Sequence, residues 1–282
     1  MCATLKKTSL LLFWLTAIQW CRSQTNCNVF TDSCHIKACL LYKEAGNYYQ
    51  GTRQSQQFYD SAIRTCPDYA EAWREISVPY LKRGDFYTWR KYIDVAVALK
   101  PNPILGVRGW CRFKFLRDYE GALNDLRRFD TLTDFHPSYS GDGNYNLYIV
   151  MALCERELGN YQQALHYFSL GIDSALLQGD AWVGFSDFLH RAVTKMRIKD
   201  YAGALLDLDR QQKKYDNYAE IYYYKGLTLQ LMHREKEALT YLEKARTLAA
   251  SGHHLSDIYC EMHDEVFVED IDAAIDRILR LR

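Results

Sequence analysis

The side chains best suited to chemistry in this 282-residue chain are its nine cysteines and eight histidines. Cys27, Cys34 and Cys39 crowd together and Cys66 follows, while Cys111, Cys154 and Cys260 are dispersed. Beyond Cys2 and Cys21 an odd number of cysteines remains, so at least one thiol is free or pairs with another molecule. An oxidising compartment would bridge the first three to each other or to Cys66. His253, His254, Cys260 and His263 are the nearest approach to a metal-ligand set. Their spacing is that of a loop and no second cluster completes it, so no metal and no cofactor is expected. The chain has no phosphate-binding loop, no G-x-S-x-G and no H-E-x-x-H. Gly141-Asp142-Gly143 reads as a loop. Glu155, Glu157, Asp207 and Asp209 read as solvated or ion-paired helix faces. No catalytic residue is nominated, and the expectation is a protein that is not an enzyme.

Charge narrows the function further. Lysine plus arginine equals aspartate plus glutamate at 35 each, so no global field attracts nucleic acid or an anionic membrane. With 48% hydrophobic and 25% charged residues, a packed core is feasible. Lys6 and Lys7 precede a mostly apolar stretch from Ser9 to Trp20, shorter than the roughly 20 residues of a spanning helix. This pattern is that of a secretory signal peptide over 1–23, cut before Gln24. An exported, periplasmic or secreted protein is therefore expected.

The elements that would position any site are periodic. Pro67 and Pro101 lie 34 residues apart, each after an apolar helix-like run. RDYEGALNDL (Arg117 to Leu126), LGNYQQALHYF (Leu158 to Phe168), KDYAGALLDL (Lys199 to Leu208) and HREKEALTYLEKA (His233 to Ala245) each place an alanine at one offset after a turn: Ala122, Ala164, Ala204 and Ala238. Trp89 takes that slot earlier. Small residues Ala152, Ala192 and Gly226 sit midway along the preceding helix, so small meets small and the two helices approach closely. Gly84 and Gly159 supply left-handed turns. The pattern predicts antiparallel helix pairs, with units starting near Ile36, Ala70, Pro103, Tyr145, Phe185 and Ala219. The third unit begins irregularly, with Gly106 and Gly109 inside its first helix. In the first unit, Cys39 near the start of one helix and Cys66 at the end of the next suggest one disulfide, and Cys27 with Cys34 another.

This pattern resembles the tetratricopeptide repeat (TPR) family over about residues 36 to 252. The resemblance implies an all-α, right-handed α-α superhelix, a solenoid of about six helix pairs. Residues 24–35 would form an N-terminal cap, and 253–282 a C-terminal capping helix. In that fold the first helix of each pair lines a concave groove. Groove positions would include Arg74, Lys82, Arg108, Phe115, Arg156, His190, Arg197, Tyr223 and Tyr224. Arginine grips carboxylates through paired donors and tyrosine anchors bury area, so the groove would suit a protein or peptide partner carrying acidic groups. Equally, the arginines would serve simply to pair with neighbouring glutamates. Family members that bind chaperone tails use a lysine/asparagine clamp. Leu40, Glu44 and Glu75 stand at the matching positions, so that clamp is not reproduced. The alternative function is small-molecule or glycan binding in an aromatic-rich groove, using the longer connections 135–146 and 176–185.

Overall fold

The computed structural model describes residues 25–134 and 139–280, and the expected signal segment lies outside them. The described residues contain thirteen α-helices and, in place of any sheet, one isolated bridge between Tyr139 and Asn146. They divide into two compact units, one ending at Ile76 and one beginning at Ser77.

The smaller unit holds a 3-10 turn (Cys27–Val29), helices α1 (Ser33–Ala45) and α2 (Arg53–Thr65), and the start of α3 (Ala70–Lys82). Asp32 caps α1 by accepting from the His35 backbone N–H at 2.8 Å, and Thr52 caps α2 through Ser55. Ala38, Cys39, Ala62, Cys66, Tyr69 and Ala72 form its core. Disulfides join Cys27 to Cys39 and Cys34 to Cys66. The expected pairing was the other one, Cys39 with Cys66 and Cys27 with Cys34. Because Asp32 starts α1 before Ile36, Cys34 is the residue in its first turn beside Cys66 at the end of α2, with 5.3 Å between their Cα atoms. Cys39 lies beyond the first turn and meets Cys27, which the 3-10 turn folds back onto α1.

The larger unit continues with α4 (Phe86–Leu99), α5 (Pro101–Cys111), α6 (Tyr119–Leu132), α7 (Leu147–Glu157) and α8 (Tyr161–Gln178). Then come α9 (Asp187–Arg197), α10 (Tyr201–Lys214), α11 (Ala219–Leu231), α12 (Glu235–Ala250) and α13 (Val268–Leu279). Before α13 the chain is therefore a succession of six two-helix modules. The turns inside the last five of these modules share one geometry. Gly84 and Gly159 have φ of +78° and +82°, and Arg117, Lys199 and His233 occupy the same turn at +53°, +65° and +60°. A side chain there costs about 1–2 kcal/mol. The next residue offsets part of that cost as a cap: Asp85, Asp118 and Asp200 accept from the backbone N–H of Thr88, Gly121 and Gly203 at 3.1, 3.0 and 2.9 Å.

Close approach is enforced by the small residues. A Cβ on Gly226 would lie 2.7 Å from Leu242 Cγ and 3.1 Å from the Ala238 carbonyl. A Cβ on Gly109 would meet Leu126 Cγ at 2.8 Å and the Ala122 carbonyl at 3.2 Å. Gly109 is thus the regular close-approach residue of the third module. What makes that module irregular is the π-helical turn Arg112–Leu116 that extends α5. Ala122, Ala164, Ala204 and Ala238 are all fully buried. The tail segment 253–282 holds its amphipathic helix in its second part only, where Val268, Ile271, Ile275, Ile278 and Leu279 stand at helical spacing. Only Val268–Leu279 is helical within the described residues, packing Ile271, Ala274 and Ile278 onto the α11/α12 core. Residues 253–267 form a non-helical strap.

Candidate partner-binding face

The strap runs along the first helices of the larger unit, the face expected to hold a partner. It is anchored at both ends by α11. Ala219 N–H donates to the His253 carbonyl at 2.9 Å. The Glu220 carboxylate accepts from the backbone N–H of Leu255 at 2.9 Å and of Val266 at 3.3 Å. Burial raises the Glu220 pKa, and these backbone donors oppose that rise. Leu255 and Val266 are themselves buried, so the strap is part of the core.

Between the anchors the strap meets the basic residues of the π-helical turn that extends α5, the turn after it, α7 and α9. Lys114 donates to Asp257 at 2.7 Å and to Asp142 at 3.0 Å. Arg117, in its left-handed turn, donates to the Glu261 carbonyl and, at 2.7 Å, to Nδ1 of His263. The His263 ring stacks on Phe113 with centroids 4.7 Å apart. Burial and the Arg117 and Arg156 cations push His263 down to about 2, so it stays neutral and accepts. Next to it, Asp264 has φ of +62°. Its Oδ2 accepts from Arg156 at 2.7 Å and from His190 Nδ1 at 2.6 Å. Arg156 is 1% exposed and His190 fully buried. Burial alone would raise the Asp264 pKa; Arg156 and His190 overrule it and hold the carboxyl far below the usual range. A cavity of about 120 Å³ remains between strap and helices, lined by Phe113, Tyr145, Phe185 and His263 among others.

The nominated groove residues fall into distinct environments. Arg156 and His190 grip Asp264. Phe115 lies 6.2 Å from Tyr259 of the strap, and Lys82 Nζ sits 5.2 Å over that ring. Tyr223 and Tyr224 pack edge to face at 5.1 Å, and burial raises both their pKa values. Arg197 is exposed at the end of α9. Arg108 is held internally, bidentate on Asp125 at 2.6 and 2.8 Å with Asp94 at 2.7 Å. In the smaller unit, Arg74 pairs with Glu75 at 2.6 Å and reaches the Tyr42 hydroxyl at 3.4 Å. Sequence reading did not single out Arg117, Asp257 or Asp264, and it considered His263 only as a metal ligand. The available signal was the acidic, non-periodic run from Asp257 to Glu265 between the last repeat and the tail helix. His253, His254, Cys260 and His263 do not converge. The grouping of potential ligand atoms within 4.8 Å is instead Asp32, Cys34, His35 and Cys66. Its two sulfurs are joined in the Cys34–Cys66 disulfide, which leaves no thiolate to hold a metal.

Comparison with solved structures fits this arrangement of helix pairs, and the chain has the tetratricopeptide-repeat fold. PilF of Pseudomonas aeruginosa is similar at 15% identity and a TM-score of 0.60, covering 78% of this chain and 95% of that one. PilW, described as a type IV pilus biogenesis factor, is similar at 16% identity and a TM-score of 0.58, over 74% of this chain and 92% of its own. YrrB, described as a TPR protein with an unusual peptide-binding site, is similar at 14% identity and a TM-score of 0.53, over 68% and 92%. No protein-family model matches the sequence and no curated protein matches it. Among the described residues no helix is long and apolar enough to cross a membrane.

Proposed function

We propose that this protein is an exported, non-catalytic scaffold that docks a protein or peptide partner on the strap-covered inner face of its larger unit. The observation that carries the reading is Asp264 between Arg156 and His190. This face accepts a carboxylate on an extended segment, here the chain's own. The strap in turn offers Ile258, 88% exposed, and Tyr259 beside Lys82 and Phe115, a mixed apolar and cationic surface suited to an acidic peptide. Two disulfides support an oxidising compartment and so the signal reading of residues 1–23. The buried Asp264–His190 pair supports a non-catalytic role, because its imidazole is sealed from any substrate.

The test is retention of a partner from the native exported fraction by the wild-type protein, followed by Lys82→Glu, Arg197→Glu and Tyr259→Ala. These positions lie outside the buried ion pairs, so helicity should persist. Charge reversal at Arg108 or Arg156 would not serve, since either would bury a carboxylate against Asp125 or Asp264. A photo-crosslinker at position 258 should capture the same partner that the three variants lose. Undiminished retention by the variants would place docking elsewhere.

A further inference from the structure

A cleft of about 310 Å³ lies between residues 139–144 and residues 181–185, with Tyr215 at its side. Its size is at the lower end of the roughly 300–1,000 Å³ of small-molecule sites. Four aromatic residues line it: Tyr139, Trp182, Phe185 and Tyr215, with Asn144 and Gly184 between them. Trp182 is 53% exposed and is the one exposed tryptophan among the described residues. An exposed indole facing a tyrosine ring, with centroids 6.3 Å apart, is an unusual surface to leave open to water.

The polar groups at this wall are incompletely used. Tyr139 Oη is shielded from solvent and has no hydrogen-bond partner. Asp187, 2% exposed in the first turn of α9, accepts from the Gly184 N–H through Oδ2 at 2.7 Å, while its Oδ1 has no partner. That free oxygen lies directly over lining residue Gly184, where an added Cβ would come within 2.4 Å of it. Buried polar atoms without partners are rare and costly, so each calls for a partner such as a ligand or an ordered water. No lysine, arginine or histidine lines the cleft. The nearby Lys214 is engaged by Asp180, through its carboxylate at 3.6 Å and through its backbone carbonyl. An anionic ligand such as a nucleotide or a phosphorylated sugar therefore has no counter-charge.

We propose that this cleft binds a neutral carbohydrate, a pyranose ring stacked on Trp182 with hydroxyls directed at Tyr139 and Asn144. Flat aromatic surfaces receive the apolar C–H face of the ring. The unpartnered phenol oxygen of Tyr139 and the Asn144 amide suit hydroxyl groups, which can both donate and accept. The inference is independent of partner docking on the inner face.

Saturation-transfer NMR and tryptophan fluorescence, with glucose, galactose, mannose, N-acetylglucosamine, cellobiose, maltose and lactose at millimolar concentration, test it. At least one sugar should bind saturably. Trp182→Ala should weaken that binding about tenfold and Trp182→Phe should largely retain it. Tyr139→Phe, which keeps the ring and removes the hydroxyl, should weaken it by a similar factor. All variants should melt within a few degrees of wild type, because Trp182 is exposed and Tyr139 Oη bonds to nothing in the protein. The proposal is overturned if none of the seven sugars shows saturation transfer. It is also overturned if Trp182→Ala binds as well as wild type, or if a proline-rich peptide occupies the cleft and no sugar does.

Discussion

Replacing Asp264 by Asn keeps the side-chain shape and removes one buried charge. In the native protein, Oδ2 of Asp264 receives Arg156 at 2.7 Å and His190 at 2.6 Å, and both donors are shut off from water. An amide oxygen at that position can still accept from both donors, but it carries no charge, so the buried Arg156 cation loses Asp264 as a counter-ion. Arg156 would keep Glu157 at 3.0 Å as its remaining counter-ion. Breaking a buried pair from one side costs about 3–5 kcal/mol, and the surviving Glu157 contact puts the expected loss near 3. For a domain of this size that corresponds to a fall of roughly 6–12 °C in Tm. Part of the loss should be local, so chymotrypsin should cut at Tyr259 and strap amides should exchange faster before global unfolding. The double substitution Arg156→Met with Asp264→Leu, which removes both charges, should recover much of the stability. If Asp264→Asn lowers Tm by less than about 2 °C and the strap stays protected, the pair is not the anchor described here.

Two further outcomes follow from buried groups. Burial pushes the Asp187 carboxyl up to about 6 from its ordinary 3.8. The folded carboxyl is thus protonated over a range where the unfolded one is not. Stability should fall as pH rises across that interval, by up to about 3 kcal/mol, and the fall should be absent in Asp187→Asn when urea unfolding is compared from pH 3.5 to 7. Gly226→Ala places a methyl against Leu242 and the Ala238 carbonyl, and should cost about 1–3 kcal/mol by denaturant titration even though alanine favours helix.

The modular plan was legible because close approach leaves its mark locally. Ala122, Ala164, Ala204 and Ala238 recur at a fixed offset from turn and cap, and the structure buries all four completely. Gly109 was misread as a disturbance because the π-helical turn lengthens the spacing to its partners: Gly226 and Ala238 are twelve positions apart, Gly109 and Ala122 thirteen. The disulfide pairing hinged on where α1 begins, which a capping aspartate decided and periodicity did not. Arg156 and His190 could be assigned to the inner face because they lie on regular helices. Their occupant Asp264 was not, because a strap has no period and its partners are up to 108 positions away. Nothing local distinguishes that aspartate from a solvated one.

The distant partnership has a consequence for how the molecule is made. In an ordinary repeat array each module needs only its neighbours, so the array consolidates progressively from either end. Here Arg156 lies within α7, yet its neutralising carboxylate is 108 positions downstream. At about 5–20 residues per second, a ribosome takes roughly 5–20 s to deliver it. Until then Arg156 has only the adjacent Glu157 as a counter-ion, so full burial of this cation awaits the strap. A protein shortened just before residue 253 would retain every repeat and still lack the carboxylate that Arg156 and His190 share.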